Sequence, residues 1–191
     1  MSEAAASAMM AAMFDIDEFV KDCSVAVGEL EARPAIRELV TRAVADHASV
    51  ADAMAHHTAG ITVLHNTADL TVLNVVWGPG MKLQPHDHRM WAAIGIYAGQ
   101  ENNGFYRRQG DTIIDSGGKE LRDGDVLMLG DDAIHSVANP LRSYTGAIHV
   151  YGGDFVTKPR SVWDPESRVE GPFSMDRLRE QFEASNHAAP A

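Results

Sequence analysis

The sequence predicts a mainly β domain, a sandwich or barrel of short strands, with α-helices ahead of it and one short helix behind. Three observations carry that expectation. Apolar residues recur at helical spacing before Gly60 and not after it. Eight short β-branched or aromatic runs then follow one another, punctuated by Gly, Pro and Asp. The 191 residues are 45% hydrophobic, which suits one domain with a sizeable core.

Residues 1–13 are expected to form a flexible tail. From Asp15 the pattern is helical: Ile16, Phe19, Val20, Cys23 and Val27 share one face, and Asp15 with Glu18 forms a capping box. A second helix is expected from Pro34, with Ile36, Leu39, Val40, Ala43 and Val44 facing the core, continuing or restarting through Val50 and Met54. The strand runs are Ile61 to His65, Leu70 to Trp77, Trp91 to Ala98, Asn103 to Arg108, Thr112 to Asp115, Asp125 to Leu129, Ile134 to Ala138 and Gly146 to Tyr151. A short helix near Met175 to Ala184, with Leu178 and Phe182 one turn apart, closes the domain. The expected division is therefore a single domain over 14–184, helical over 14–58, barrel over 60–155 and a C-terminal segment over 156–184, with a second tail over 185–191.

A formal net charge of −11 opposes binding to nucleic acid or an anionic membrane, because like charges repel. No apolar run approaches the roughly 20 residues of a membrane span. The stretch from Met1 to Met13 has no basic start and runs into Asp15, which is unlike a signal peptide. Cys23 is the only cysteine, so neither an intramolecular disulfide nor a Cys-based metal site is available, and a reducing cytoplasm is compatible. Its place on an apolar helix face makes it a packing residue. Oligomeric state has no signature in the sequence.

The chemistry-bearing residues are histidines. His86 and His88 are two apart in strand-like sequence, so both imidazoles point to one face and can approach one ion. His135, far along the chain, can close the site from a second strand. Three protein ligands leave open positions, the coordination of a catalytic metal and not a closed structural one. Imidazoles also accept zinc, manganese or nickel, so spacing alone leaves the metal open. Gly80 lies six positions before His86 and Gly99 eleven after His88, while Gly124 and Asn139 lie eleven before and four after His135.

This frame resembles the paired motifs of the cupin superfamily, whose fold is a double-stranded β-helix, or jelly-roll barrel. One branch is similar in particular, the cysteine dioxygenase-type thiol dioxygenases. The likeness runs from about Leu70 to Phe155 and rests on Trp77-Gly78-Pro79-Gly80 leading into Pro85-His86-Asp87-His88, and on His149-Val150-Tyr151. It implies His86, His88 and His135 as ligands of Fe(2+), a small thiol and O2 as substrates, and Tyr151 with His149 as catalytic residues beside the metal. Many cupins carry a glutamate four residues after the second histidine, where this chain has Ala92. Three neutral imidazoles leave the metal's charge uncompensated, which favours an anionic ligand such as a thiolate. The serine that precedes the family's histidine is Ala147 here, and no cysteine lies near the second histidine, so no cysteine–tyrosine crosslink is expected. The family's carboxylate-binding arginine is matched by His65.

Other residues compete to bind substrate. Arg107 and Arg108 are adjacent, so a strand turns one of them inward, and Arg160 and Arg168 lie in the C-terminal segment with Trp163. Asp87 points away from its flanking ligands, and Asp131 with Asp132 reads as a turn. The expected function is an iron-dependent oxidation of cysteine or a mercapto-carboxylic acid such as 3-mercaptopropionate to its sulfinate. The alternatives are a three-histidine dioxygenase that cleaves a carbon–carbon bond, as in β-diketones, and a non-catalytic metal-binding or sensing cupin.

Overall fold

A computed structural model describes residues 13–54 and 56–188. Three helices lead, α1 Ile16–Ala26, α2 Ala32–Ala45 and α3 His47–Ala53. The strands follow as β1 Gly60–Asn66, β2 Thr71–Trp77, β3 Lys82–Asp87, β4 Ala92–Ala98, β5 Gln100–Gln109, β6 Thr112–Arg122, β7 Val126–Leu129, β8 Ile134–Ala138, β9 Thr145–Tyr151, β10 Ser161–Trp163 and β11 Glu170–Pro172, and α4 Met175–Ala188 comes last. They make two antiparallel sheets, ordered β1-β2-β9-β4-β7 and β11-β10-β3-β8-β5-β6. The two sheets face each other across an apolar interior, the β-sandwich or barrel that the sequence leads one to expect. Among the described residues no helix is long and apolar enough to cross a membrane.

The five-stranded sheet has a core on each side, and its sequence shows why. β2 and β9 are buried at every position, so they read as continuous apolar runs and not as alternating ones. Leu73, Val75, Ile94 and Tyr151 face the barrel interior. Val72, Ala93, Ile148 and Val150 face outward onto Phe19, Cys23, Ile36, Val40 and Val44 of the leading helices. α1 begins where expected, its cap formed by Asp15 accepting from the Glu18 backbone N–H at 3.0 Å. Cys23 is fully buried in this outer core, and burial pushes its thiol up to about 12. It lies in a different cluster from Tyr151.

The turns use the motif glycines. Gly99, between β4 and β5, has φ 83°, and a Cβ there would sit 2.6 Å from Thr145 Oγ1, so only glycine fits. Asn139 ties the far loops together, its Nδ2 donating to the carbonyls of Trp77, Gly78 and Ser143 at 3.1, 2.9 and 2.8 Å.

Several elements differ from expectation. α2 starts two residues before Pro34. β6 runs seven residues past Asp115, because Ser116 to Glu120, which looks like a polar Gly-rich loop, is an edge strand paired only with β5. β10 and β11 are three residues each, too short to show a period, and are fixed by tertiary bonds such as Ser161 N–H to Asp87 Oδ1 at 2.7 Å. The C-terminal helix continues through part of the expected 185–191 tail, since Asn186 bonds both the N–H and the C=O of Ala59, at 2.7 and 3.0 Å. The expected tail at 1–13 lies outside the described residues except for Met13.

Helix α2 docks closely on the sheet at Gly95, where a Cβ would meet Val40 Cγ1 at 2.5 Å and Val44 Cγ1 at 2.8 Å. Gly95→Val is expected to lift α2 from β4 and lower stability by about 1–3 kcal/mol, the scale of core overpacking. A urea midpoint equal to wild type would contradict this packing.

Candidate metal centre

Strands β3 and β8 pair antiparallel with His86 opposite His135. The register shifts between Leu83 and His86, which places Pro85 at a bulge where its missing N–H costs no ladder bond. His88 lies one residue past β3, beside Arg89, which adopts φ 54°. The three side chains converge inside the barrel, buried to 4%, 3% and 1% exposure. Their ligand atoms lie within 4.8 Å of one another, a group that can hold a metal ion. His86 Nε2 is 3.2 Å and His135 Nε2 3.3 Å from His88 Nε2.

These distances fit an ion. With bonds of about 2.1 Å, neighbouring nitrogens stand about 3.0 Å apart in an octahedral shell and about 3.4 Å apart in a tetrahedral one. The opposite ring atoms fix the tautomer: His86 Nδ1 lies 3.1 Å from the Gln84 carbonyl and His135 Nδ1 2.7 Å from Asn103 Oδ1. Both contacts are to acceptors, so Nδ1 carries the proton and the Nε2 lone pair points inward. Burial, the largest cause, lowers the basicity of all three rings, His86 to about 4 and His88 and His135 well below their ordinary value. They are therefore neutral at pH 7, the form that binds metal.

His149 and Tyr151 alternate on β9 and share the interior face, with His149 Nδ1 2.9 Å from Tyr151 Oη. The Tyr151 ring stands edge-on to His88, centroids 5.0 Å apart, and packs on Phe155. His149 Nε2 has no hydrogen-bond partner. Burial, with the field of His86 second, lowers His149 to about 3. The void among these side chains is about 20 Å³, room for one water-sized group. Its remaining walls are apolar, including Ile61, Leu73, Trp77, Phe173 and Leu178.

Of the expected substrate-binding residues none lines this chamber, and Arg160 packs behind two residues that do. It is 6% exposed, and its guanidinium lies between two chamber residues, 3.7 Å from the Phe155 ring centroid and 4.6 Å from that of Phe173. Nη2 contacts Met175 Sδ at 3.3 Å, while Nε and Nη1 have no partner. Arg107 is exposed, and Arg108 pairs with Glu170 at 2.6 Å in a half-exposed network that includes Asp87 and Arg89. Arg168 pairs with Asp115 at 3.0 Å. Neither Arg107, Arg108 nor Arg168 lines the chamber.

His65 does not take the place of a carboxylate-binding arginine. A bulge between Val63 and His65 pairs His65 with Val72, an outward-facing residue, whereas Ile61 and Val63 pair with the inward Val75 and Leu73. One extra residue thus turns His65 away from the chamber. His47, His56, His57 and His187 lie outside the cluster.

Sequence reasoning missed Asn103, Glu101 and Trp77 as residues of this site. Glu101 and Asn103 alternate on β5, but Gln100 and Asn102 on the opposite face are also polar, so the inward face carried no hydrophobic signal.

No family model matches the chain. Solved structures with partial similarity include the DMSP lyase DddQ from Ruegeria pomeroyi DSS-3, 17% identical with a TM-score of 0.45 over 56% of this chain and 52% of that one. An RmlC-like cupin family protein with a double-stranded β-helix fold from Methanocaldococcus jannaschii is 13% identical, TM-score 0.42, over 52% and 84%. A recombinant oxalate oxidase in complex with glycolate is 14% identical, TM-score 0.40, over 51% and 52%. The chain spans about half the length of the lyase and the oxidase.

The four buried imidazoles set an acid limit on the metal-free protein. Below about pH 6.5 the unfolded chain protonates them while the folded chain does not, so stability is full above that value and is lost as pH falls toward 4. Each histidine held neutral steepens the loss by up to about 1.4 kcal/mol per pH unit. Urea midpoints are expected to fall steeply between pH 6.5 and 4.5, and a flat profile there would contradict the burial of these groups as neutral rings.

Proposed function

We propose that this protein is an iron-dependent dioxygenase that adds both atoms of O2 to the sulfur of a small thiol, RSH + O2 giving RSO2H. The observation that supports it best is the pairing of three neutral imidazoles, with no carboxylate in the cluster among the described residues, with the buried guanidinium of Arg160 packed behind Phe155 and Phe173 of the chamber wall. Both features favour an anionic substrate. When bound, ferrous iron supplies a Lewis-acidic position for a thiolate and the one-electron chemistry by which dioxygen reacts.

The side chains then have separate tasks. His86, His88 and His135 hold the ion. The tautomer with His149 Nδ1–H donating to Tyr151 Oη frees the phenol proton to hydrogen-bond a group at the open positions. Burial raises the Tyr151 phenol well above its ordinary value, so it acts as a donor and not as a phenolate. The partnerless N–H groups of Arg160 receive a substrate carboxylate, and their present lack of partners is the cost that such a ligand relieves. Phe155, Phe173 and Leu178 keep water out. A neighbouring cleft of about 450 Å³ shares Ile61, Leu73 and Phe155 with the chamber and is the route by which substrate enters.

Iron-loaded protein in an oxygen electrode is expected to consume O2 with 3-mercaptopropionate or cysteine and not with the matching alcohols. Uptake with β-diketones and none with thiols would replace this reading with carbon–carbon cleavage, and no uptake with any of them would favour a binding or sensing cupin. Alanine at His86, His88 or His135 is expected to abolish tight iron binding while the barrel persists. Tyr151→Phe is expected to retain iron and lose about ten- to a thousandfold in turnover, the scale of one positioned proton donor. Arg160→Met is expected to raise KM about tenfold or more for mercapto acids and little for an uncharged thiol. Wild-type kinetics in either variant would remove that residue from the reaction.

A further inference from the structure

A second buried line of polar groups runs outward from His135. Asn103 Oδ1 lies 2.7 Å from His135 Nδ1, Asn103 Nδ2 donates to Glu101 Oε1 at 2.8 Å, and Trp77 Nε1–H donates to Glu101 Oε2 at 2.7 Å. All four residues are buried, Glu101 completely. A fully buried carboxylate in an apolar barrel costs several kcal/mol unless its oxygens are paired, and here each oxygen faces an N–H.

Hydrogen-bond polarity makes this line directional. Both groups that contact Glu101 are donors, which favours the carboxylate anion, against burial, the larger influence, which raises its pKa. An asparagine amide can present either its oxygen or its nitrogen to a neighbour. Glu101 removes that choice: its oxygens only accept, so Asn103 turns its NH2 to Glu101 and its oxygen to His135. That oxygen accepts from Nδ1–H and leaves the Nε2 lone pair aimed at the cluster. Glu101 is also a built-in carboxylate two hydrogen bonds from one of the three histidines.

We propose that Glu101 is a positioning residue that acts through Asn103 to lock the tautomer of His135, and that it supplies the counter-charge which sets the metal affinity of the three-histidine site. Trp77 anchors the far oxygen of Glu101 and is peripheral to the effect. This assignment rests on the three-histidine metal reading of the site and is independent of the thiol reading, so it holds whichever substrate the protein uses.

The test measures dissociation constants of the metal-free full chain for Co(II) and Zn(II) by competition with a chromophoric chelator at pH 7, with urea midpoints recorded alongside. Glu101→Gln keeps size and shape but sets an NH2 against one of two N–H donors. It is expected to weaken metal binding about 10- to 100-fold, as does loss of a carboxylate behind a ligating histidine. Asn103→Leu cuts the line at its middle and is expected to match that loss, and the double variant is expected to be no weaker than Asn103→Leu alone, because both changes break one path. Trp77→Phe, which removes one donor but leaves Glu101 bonded to Asn103, is expected to weaken metal binding less than Glu101→Gln does. Two variants that break the line at different residues give a result if either one does not fold. Metal binding by the wild type with unchanged affinity in Glu101→Gln or Asn103→Leu overturns the relay, as does additive loss in the double variant or an equal loss in Trp77→Phe. Failure of the wild type itself to bind Co(II) or Zn(II) overturns the metal reading beneath it.

Discussion

Three buried imidazoles, with the Nε2 atoms of His86 and His135 each 3.2 to 3.3 Å from that of His88, form the arrangement on which the rest of this structure depends. A cation accepted by all three rings would turn this geometry into a coordination shell. The fold maintains it from both sides. The pairing of β3 with β8 sets His86 opposite His135, and the Gln84 carbonyl and Asn103 amide orient those rings from behind. A second core between the five-stranded sheet and helices α1 to α3 stiffens the opposite wall, where His149 and Tyr151 stand. Stability and site are thus coupled through the same neutral histidines.

The chamber's electrostatics follow from what surrounds the cluster. Asp87 sits between two of the histidines in sequence but faces the other way, bonding the Ser161 backbone and two half-exposed arginines. Two buried ionisable groups lie behind the chamber walls, Arg160, short of hydrogen-bond partners, and Glu101, with each oxygen engaged. The first is an invitation to an anionic ligand from outside. The second is already satisfied by the protein.

Much of the fold and the His86–His88 part of the histidine cluster was legible because each rests on local spacing. The i, i+2 step of His86 and His88, the motif glycines, the cap at Asp15 and the helical face through Val40 and Val44 are all properties of short windows, and they survive in the structure. What was not legible depends on register between distant strands. Arg160 is indistinguishable from Arg107, Arg108 and Arg168 until β10 is placed against β3, and three-residue strands carry no period from which to place it. His65 looks inward by simple alternation until a single bulged residue turns it out. Glu101 and Asn103 sit on a strand that is polar on both faces, so nothing in the pattern marks them as buried; only the Trp77 and His135 side chains, 24 and 32 residues from their partners, reveal it.

X-ray absorption on zinc-loaded protein tests the central claim most directly, since zinc reports coordination without redox chemistry. Three imidazoles predict nitrogen scatterers at about 2.0–2.1 Å with the multiple-scattering pattern of three rings, the rest of the shell being water. That pattern should drop to two rings in His135→Ala. A shell containing two or fewer rings in the wild type, or one with sulfur, would contradict the account.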